Sequence, residues 1–214
     1  MIITKTPFRI SFFGGGTDHP VWYEQNGGVV LSASINKYCY INCRFLPPFF
    51  KYKQRIVYSE QEKVNHIDEI DHPSVRESMR FVGIKQGLEI HHDGDLPAMS
   101  GLGSSSSFTV GLLHALSGLN GQITTKRQLA LDAIYVEQNL IKENVGSQDQ
   151  TIAAYGGLNK IEFGGPSTIS VTPITIPAER LNEFQDHLLL FFTDFSRKAS
   201  KIEAEKLKKF KNRG

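Results

Sequence analysis

The stretch from Pro97 to Ser107, "PAMSGLGSSSS", runs directly into the apolar segment "FTVGLLHAL". Four serines in succession form helix poorly, yet the segment they lead into has helical spacing, with Phe108, Leu112, Ala115 and Leu119 on one stripe. Gly101 and Gly103 allow a tight turn and a close approach of backbone to a ligand. The serines bring hydroxyls and unpaired N–H groups to the exposed start of the helix. A single serine, Ser104, is enough to cap a helix, so the run exceeds what capping requires. Unpaired donors at the positive end of a helix dipole suit an anion, phosphate above all. The loop has no Gly-Lys-Ser/Thr and is not a Walker A loop, and "GLG" is not completed to the dinucleotide fingerprint.

The rest of the chain bounds what such a loop can serve. With 214 residues it is long enough to bury a real core, and a net charge of +2 is too mild to imply nucleic acid. The lysine-dense tail from Lys201 to Arg213, with Ile202, Leu207 and Phe210 among its charges, fits an amphipathic helix with a solvated basic face. No apolar run is long enough to cross a bilayer, and "MIITKTPFRISFF" lacks the signal-peptide pattern, so the expectation is a cytoplasmic protein without a membrane partner. Cys39 and Cys43 fall in the strand-like "YCYINCRF". Four strand residues span roughly 13 Å, beyond the roughly 7 Å a disulfide tolerates, so both are expected to stay reduced.

The pattern of elements is α+β. Strand-like segments fill the first half and predict an antiparallel sheet. A helix is predicted over 74–86 with Ser74 as its N-cap, and a strand over "GLEIHHDGDLP". Helices follow from the serines, over 125–141, and over 147–155; strands return at "GGLNKIEF", "TISVTPITI" and "HLLLFFT". His91, His92, Asp93 and Asp95 lie in a turn without ligand spacing, and turn polarity explains them.

Three segments, in order, resemble the GHMP kinase family, which includes galactokinase, homoserine kinase and mevalonate kinase. "PAMSGLGSSSSFTVGLLHAL" is similar to the family's central ATP-binding motif. "RISFFGGGTDHPVWY" supplies Arg9, Thr17 and Asp18 at the galactokinase-like spacing. "VGSQDQTIAAYGG" supplies Gly146, Asp149 and Gln150 where the family has a glycine loop ending in Asp-Gln. The resemblance is greatest to bacterial kinases acting on D-glycero-D-manno-heptose 7-phosphate, through "FFGGGTDHP", "VGSQDQ" and "FFTDFSRKAS"; galactokinase has glutamate where this chain has Gly15.

The resemblance implies a mixed or antiparallel sheet with packed helices, forming the family's N-terminal ATP-binding domain over 1–185. Residues 186–214 would begin a second, incomplete α+β domain, since the family's third, glycine-rich motif does not occur before the chain ends. It implies ATP-dependent phosphorylation of the anomeric hydroxyl of the heptose 7-phosphate. A kinase for another sugar, such as fucose or galactose, and a nucleotide- or sugar-phosphate-binding fragment without turnover are the alternatives.

Roles carried over on this resemblance are as follows. ATP would lie against Pro97, Ser100, Gly101, Leu102, Gly103, Ser104, Ser105 and Ser106. Asp149 would be the general base, with capping of the short helix by Ser147 or Asp149 as the plainer reading. Arg9 would hold Asp149 ionised and face the γ-phosphate, or form an ordinary ion pair. Ser105 and Glu137 would meet at Mg²⁺, unless Glu137 is simply an exposed helix residue. Gly14, Gly15, Gly16, Thr17, Asp18 and Gly156 would contact the sugar. Asp18 and His19 lie just before Pro20, so helix capping competes for them. Arg197 and Lys198 would hold the distal phosphate, or be solvated charge.

Overall fold

The computed structural model describes residues 1–98, 100–164 and 169–191. Strand β2 (Gly28–Phe45) organises the sheet, and β1 (Ile2–Phe13) runs antiparallel along one of its edges. β5 (Leu88–Gly94) pairs with Cys39–Phe45 and β6 (Leu158–Phe163) with Gly28–Ala33. Both overlap the stretch that β1 covers, so they share the opposite edge of β2. β3 (Gln54–Val57) joins β5 in parallel, β4 (Gln61–Val64) joins β3, and β7 (Ile169–Pro173) joins β6. The described residues thus form a seven-stranded mixed sheet, predominantly antiparallel.

β2 changes phase midway. Gly28, Val30 and Ser32 are buried in its first part, but Cys39, Ile41 and Cys43 in its second. The switch is a bulge: between the pairs Pro7↔Tyr38 and Arg9↔Ser34, β1 advances two residues while β2 advances four. Extra residues in one strand bend it and re-aim its neighbours. Here the irregularity lies next to Arg9, separating the buried Phe8 from the site described below.

Helices α1 (Pro20–Asn26), α2 (Pro73–Val82), α3 (Ser104–Leu119), α4 (Lys126–Tyr135), α5 (Gln148–Tyr155) and α6 (Ala178–Asp186) complete the described fold. α3 is the central one. The sequence predicts one apolar stripe on it, whereas the structure buries almost every residue from Ser106 to Ser117. Phe108, Leu112 and Leu116 pack with Ile41, Ile90 and Met79 toward the sheet and α2. Val110 and Leu113 pack with Leu129, Ala133 and Ala153 of α4 and α5. Each such apolar side chain, fully buried, contributes about 1.5–3 kcal/mol. Gly111 lets α3 lie directly on β1, because a Cβ there would come within 2.6 Å of Thr6 Oγ1.

Several boundaries differ from the sequence reading. α2 begins at Pro73 behind His72, so Ser74 lies inside the first turn rather than at the cap. The helix predicted over 125–141 is α-helical only to Tyr135 and then widens into a π turn, Val136–Leu140. Residues 187–191 of the predicted strand "HLLLFFT" are not strand. The basic tail, Arg197 and Lys198 lie outside the described residues. Cys39 and Cys43 are buried free thiols, and burial pushes both up to about 12.

α6, which sequence patterning did not anticipate, packs Phe184 edge-on to Phe12 at 5.2 Å between ring centres. Between α6 and the sheet runs an apolar groove of about 650 Å³, lined among others by Ile10, Phe12, Ile35 and Leu158. Side chains alternate along a strand, so Ile10 and Phe12 point away from the face that carries Arg9 and Ser11.

Candidate active site

The turn before α3 is built by two left-handed glycines, Gly101 at φ 78° and Gly103 at φ 75°. Gly103 is the N-cap residue and offers no side chain, so the first N–H groups of α3 are not capped from within. Ser104 and Ser105 stand at this open end, with Ser105 exposed. Ser107 turns inward, its hydroxyl donating to Pro7 O at 2.8 Å, which ties the helix start to β1. Pro97 is exposed at the loop's entrance, and Ser100 and Leu102 are half-buried within it.

Arg9 crosses from β1 to this loop. Its backbone N–H donates to Leu102 O at 3.1 Å and its Nη1 to Gly101 O at 3.0 Å. Its other two nitrogens form a fork on Asp149: Nε to Oδ1 at 2.8 Å and Nη2 to Oδ2 at 2.6 Å. The pair is largely sheltered, with side chains 14% and 24% exposed. Such two-pronged, charge-assisted bonds fix orientation as well as charge. Asp149 is in the first turn of α5 and caps nothing; Ser147, at the N-cap position, makes no side-chain cap bond either. The capping reading of these two residues is therefore set aside.

Glu137 is wholly buried, not an exposed helix residue. It sits in the π turn after α4, an arrangement that recurs at functional positions. Oε2 accepts from Ser106 Oγ at 2.9 Å and, at close range, from Gln150 Nε2. The expectation was a meeting with Ser105. It is Ser106 that reaches Glu137, because one further helical step turns the side chain inward. Burial raises the Glu137 carboxyl to about 7, against hydrogen bonds from Thr109, Gln150 and Ser106. Oε1 is buried without a partner among the described residues. An oxygen donor set with one orphaned carboxylate oxygen fits a hard cation such as Mg²⁺.

The loop after β1 is more structural than the sequence reading expects. A Cβ on Gly14 would lie 1.8 Å from Val29 O, so this glycine permits a close backbone contact with β2. Thr17 Oγ1 donates to Gly14 O at 2.8 Å and accepts from Val29 N at 3.1 Å, clamping the loop to β2. Gly16 N–H donates to Asp18 Oδ1 at 2.9 Å. Gly15, unlike Gly14, has open space, its nearest neighbour being Gln148 Nε2 at 3.9 Å from a built Cβ.

Asp18 is 1% exposed, and its oxygens accept from Gly16 N–H and from Gln148 N–H at 3.2 Å. Asp18, expected to contact the sugar, is here a buried carboxylate engaged by two backbone N–H groups. It does not cap α1 either, where His19 holds the N-cap position. Burial raises the Asp18 carboxyl above its ordinary range, and the charge of Asp149 adds to the rise. Gly156 is the C-cap of α5, at the opposite end from Asp149. At 1.5 Å per residue that is about 10 Å from Asp149 along the helix, and a Cβ on Gly156 would lie 4.0 Å from Oγ of Ser34, the cross-strand partner of Arg9.

Two groups were missed in the sequence. Ser11, two residues past Arg9, donates to Gln148 Oε1 at 2.8 Å, extending the wall from Arg9 and Asp149 toward Gly15. Period-2 alternation from Arg9 could have flagged Ser11; nothing local could have flagged its partner.

A left-handed glycine turn feeding an open helix start stands beside an arginine–aspartate fork in an α+β domain. Residues 72–157 match the family model described as the GHMP kinases N terminal domain. It is 28% identical over 219 residues to D-glycero-alpha-D-manno-heptose 7-phosphate kinase of Campylobacter jejuni, covering 96% of this chain and 63% of that protein. It is 26% identical to a galactokinase of Pyrococcus furiosus, covering 94% of this chain and 56% of the relative. The chain therefore spans less than two thirds of these relatives. Among solved structures, a D-glycero-D-manno-heptose 1-phosphate kinase from Bacteriodes thetaiotaomicron superposes with TM-score 0.77 at 24% identity, over 86% of this chain and 63% of that one. A galactokinase from Lactococcus lactis bound to galactose gives TM-score 0.63 at 21% identity, over 82% and 48%. These two establish likeness of fold.

Proposed function

We propose that this chain contributes the nucleotide and catalytic half-site of an ATP-dependent sugar kinase whose acceptor is the anomeric hydroxyl of D-glycero-D-manno-heptose 7-phosphate. The observation that carries the reading is the fork of Arg9 on Asp149 beside Gly101 and Gly103. Phosphoryl transfer rests on positioning and on neutralising charge, and these parts are adjacent here. The N–H groups at the start of α3 receive the phosphates of ATP. Asp149 accepts the proton of the acceptor hydroxyl as its oxygen bonds to the γ-phosphorus and the bond to ADP breaks. Arg9 keeps Asp149 oriented and faces the transferring group with positive charge.

Glu137, with Ser106 or Ser105, would hold Mg²⁺. The ion supplies neutralisation of the phosphate charge when bound. Gly15, Ser11 and Gln148 form the side from which the sugar approaches Asp149. Arg197 and Lys198 are assigned to the distal phosphate. Support for a heptose phosphate over galactose comes from the Campylobacter relative and from glycine, not glutamate, at position 15. We assign a cytoplasmic setting and no nucleic-acid partner.

The test is ADP release from Mg·ATP with D-glycero-D-manno-heptose 7-phosphate, mannose 6-phosphate, fucose and galactose, with Asp149→Asn as control. Turnover confined to the heptose phosphate and lost in the variant is expected. Equal turnover of unphosphorylated sugars would remove the assignment of acceptor, and silence with every acceptor would remove the activity.

A further inference from the structure

Helix α5 carries Asp149, yet its own N-cap residue does not cap it. Ser147 Oγ is engaged elsewhere, accepting from Gln138 Nε2 at 3.2 Å and lying 3.4 Å from Tyr23 Oη. The missing bonds come from Asp18, 130 residues away in sequence. Its carbonyl accepts from Ser147 N–H at 2.9 Å and its Oδ2 from Gln148 N–H at 3.2 Å, while Oδ1 is held by Gly16 N–H at 2.9 Å. One residue thus satisfies two successive donors at the start of α5, where a negative group is also favoured by the dipole. Room for it depends on Gly146, since a Cβ there would fall 1.9 Å from Asp18 Oδ2.

We propose that Asp18 is a positioning residue: it caps α5 from outside the helix and thereby sets the pose of Asp149 against Arg9. Asp149 follows Gln148 directly, so a shift of the first turn moves its carboxylate relative to both guanidinium nitrogens. Gly16 anchors the other side of the Asp18 carboxylate, so the loop after β1 and the helix bearing the base are held as one unit. Pre-organisation of this kind acts on the rate of the chemical step more than on binding.

The assignment to catalysis rests on the reading of Asp149 as base, so the experiment has two readouts. Amide hydrogen exchange at Gln148, followed by NMR in the full chain, compares wild type with Asp18→Asn and Gly146→Ala. Asparagine keeps the shape but can accept on one atom only, and alanine at 146 displaces the carboxylate without changing it. Both are expected to lower protection of Gln148 about tenfold, the scale of one charge-assisted hydrogen bond, with Leu112 in α3 unchanged. In the kinase assay the same variants are expected to lose kcat about tenfold or more while KM for the sugar phosphate holds. Unchanged protection of Gln148 would overturn the proposal, as would a rise in sugar KM at constant kcat, which marks a ligand. If the wild type turns over no acceptor, the functional reading fails by itself, and the exchange result still decides whether Asp18 holds α5.

Discussion

Arg9 and Asp149 lie 140 residues apart in sequence and meet in a fork of two hydrogen bonds, at 2.8 and 2.6 Å. A third nitrogen of the same guanidinium reaches the Gly101 carbonyl, so the arginine joins the glycine–serine loop to the carboxylate. Asp149→Asn is expected to cut turnover by about 10²–10⁴-fold, the usual range for a general base. Arg9→Lys keeps the charge but cannot span both oxygens and the carbonyl, and should lose about tenfold or more in kcat. Steady-state kinetics at saturating ATP checks both; near-normal kcat in Arg9→Lys would show that charge alone suffices.

Gly101 and Gly103 share a left-handed backbone but not a neighbourhood. A Cβ on Gly101 meets nothing within 4 Å, whereas one on Gly103 lies 3.2 Å from Arg9 Cγ and 3.4 Å from Asp149 Oδ2. Alanine at either position should cost about 1–2 kcal/mol in urea unfolding through backbone strain. Only Gly103→Ala is expected to lower kcat as well, because it presses on the fork. Equal kinetic effects would mean the loop's conformation, not its contact with the fork, governs the rate.

Glu137 makes stability fall as pH rises. Its carboxyl is raised by burial to about 7, so between about 4.5 and about 7 the folded state binds a proton that the unfolded state has released. Stability present below that window is lost on passing through it, to an extent of at most a few kcal/mol. Urea midpoints at several pH values without divalent cation should show this slope in wild type and not in Glu137→Gln. Parallel curves for the two would rule out Glu137 as its source.

Glu89 works in the opposite sense. Burial would raise its carboxyl, but His91, Arg44 and Arg55 together hold it below the usual carboxylate range. Its stabilisation is present above the ordinary value of 4.5 and is lost as pH falls through the lowered one. The arginines are 47% and 33% exposed, so solvent screens them, and Glu89→Gln should cost only about 1–3 kcal/mol at neutral pH. Acid unfolding of that variant should be shallower than wild type below pH 4.5; an unchanged acid limb would contradict the ion-pair account.

The parts of the site that were legible in the sequence are those whose signal is local. The glycine–serine turn announces an open helix start, and motif spacing brings Arg9, Glu137 and Asp149 into consideration. What could not be read depends on azimuth and on distant partners. Ser105 and Ser106 are neighbours in sequence, yet one helical step decides which faces Glu137. The π turn shifts Glu137 relative to a regular helix, and no propensity marks it. Asp18 reads as a ligand or a cap for the helix that follows it, whereas its partners are Gly16 and the far Ser147 and Gln148. The strands of the first half were legible from their β-branched and aromatic residues, whereas the break in period at 35–37 and the absence of strand over 187–191 were not.

That break divides one covalent strand into two mechanically separate registers. A slip of the part of β2 that pairs with β6 would be taken up at 35–37 and would not travel to the part that pairs with β5. Length changes at the two ends of the sheet can therefore accumulate independently, with the short span facing Pro7 to Arg9 absorbing the difference.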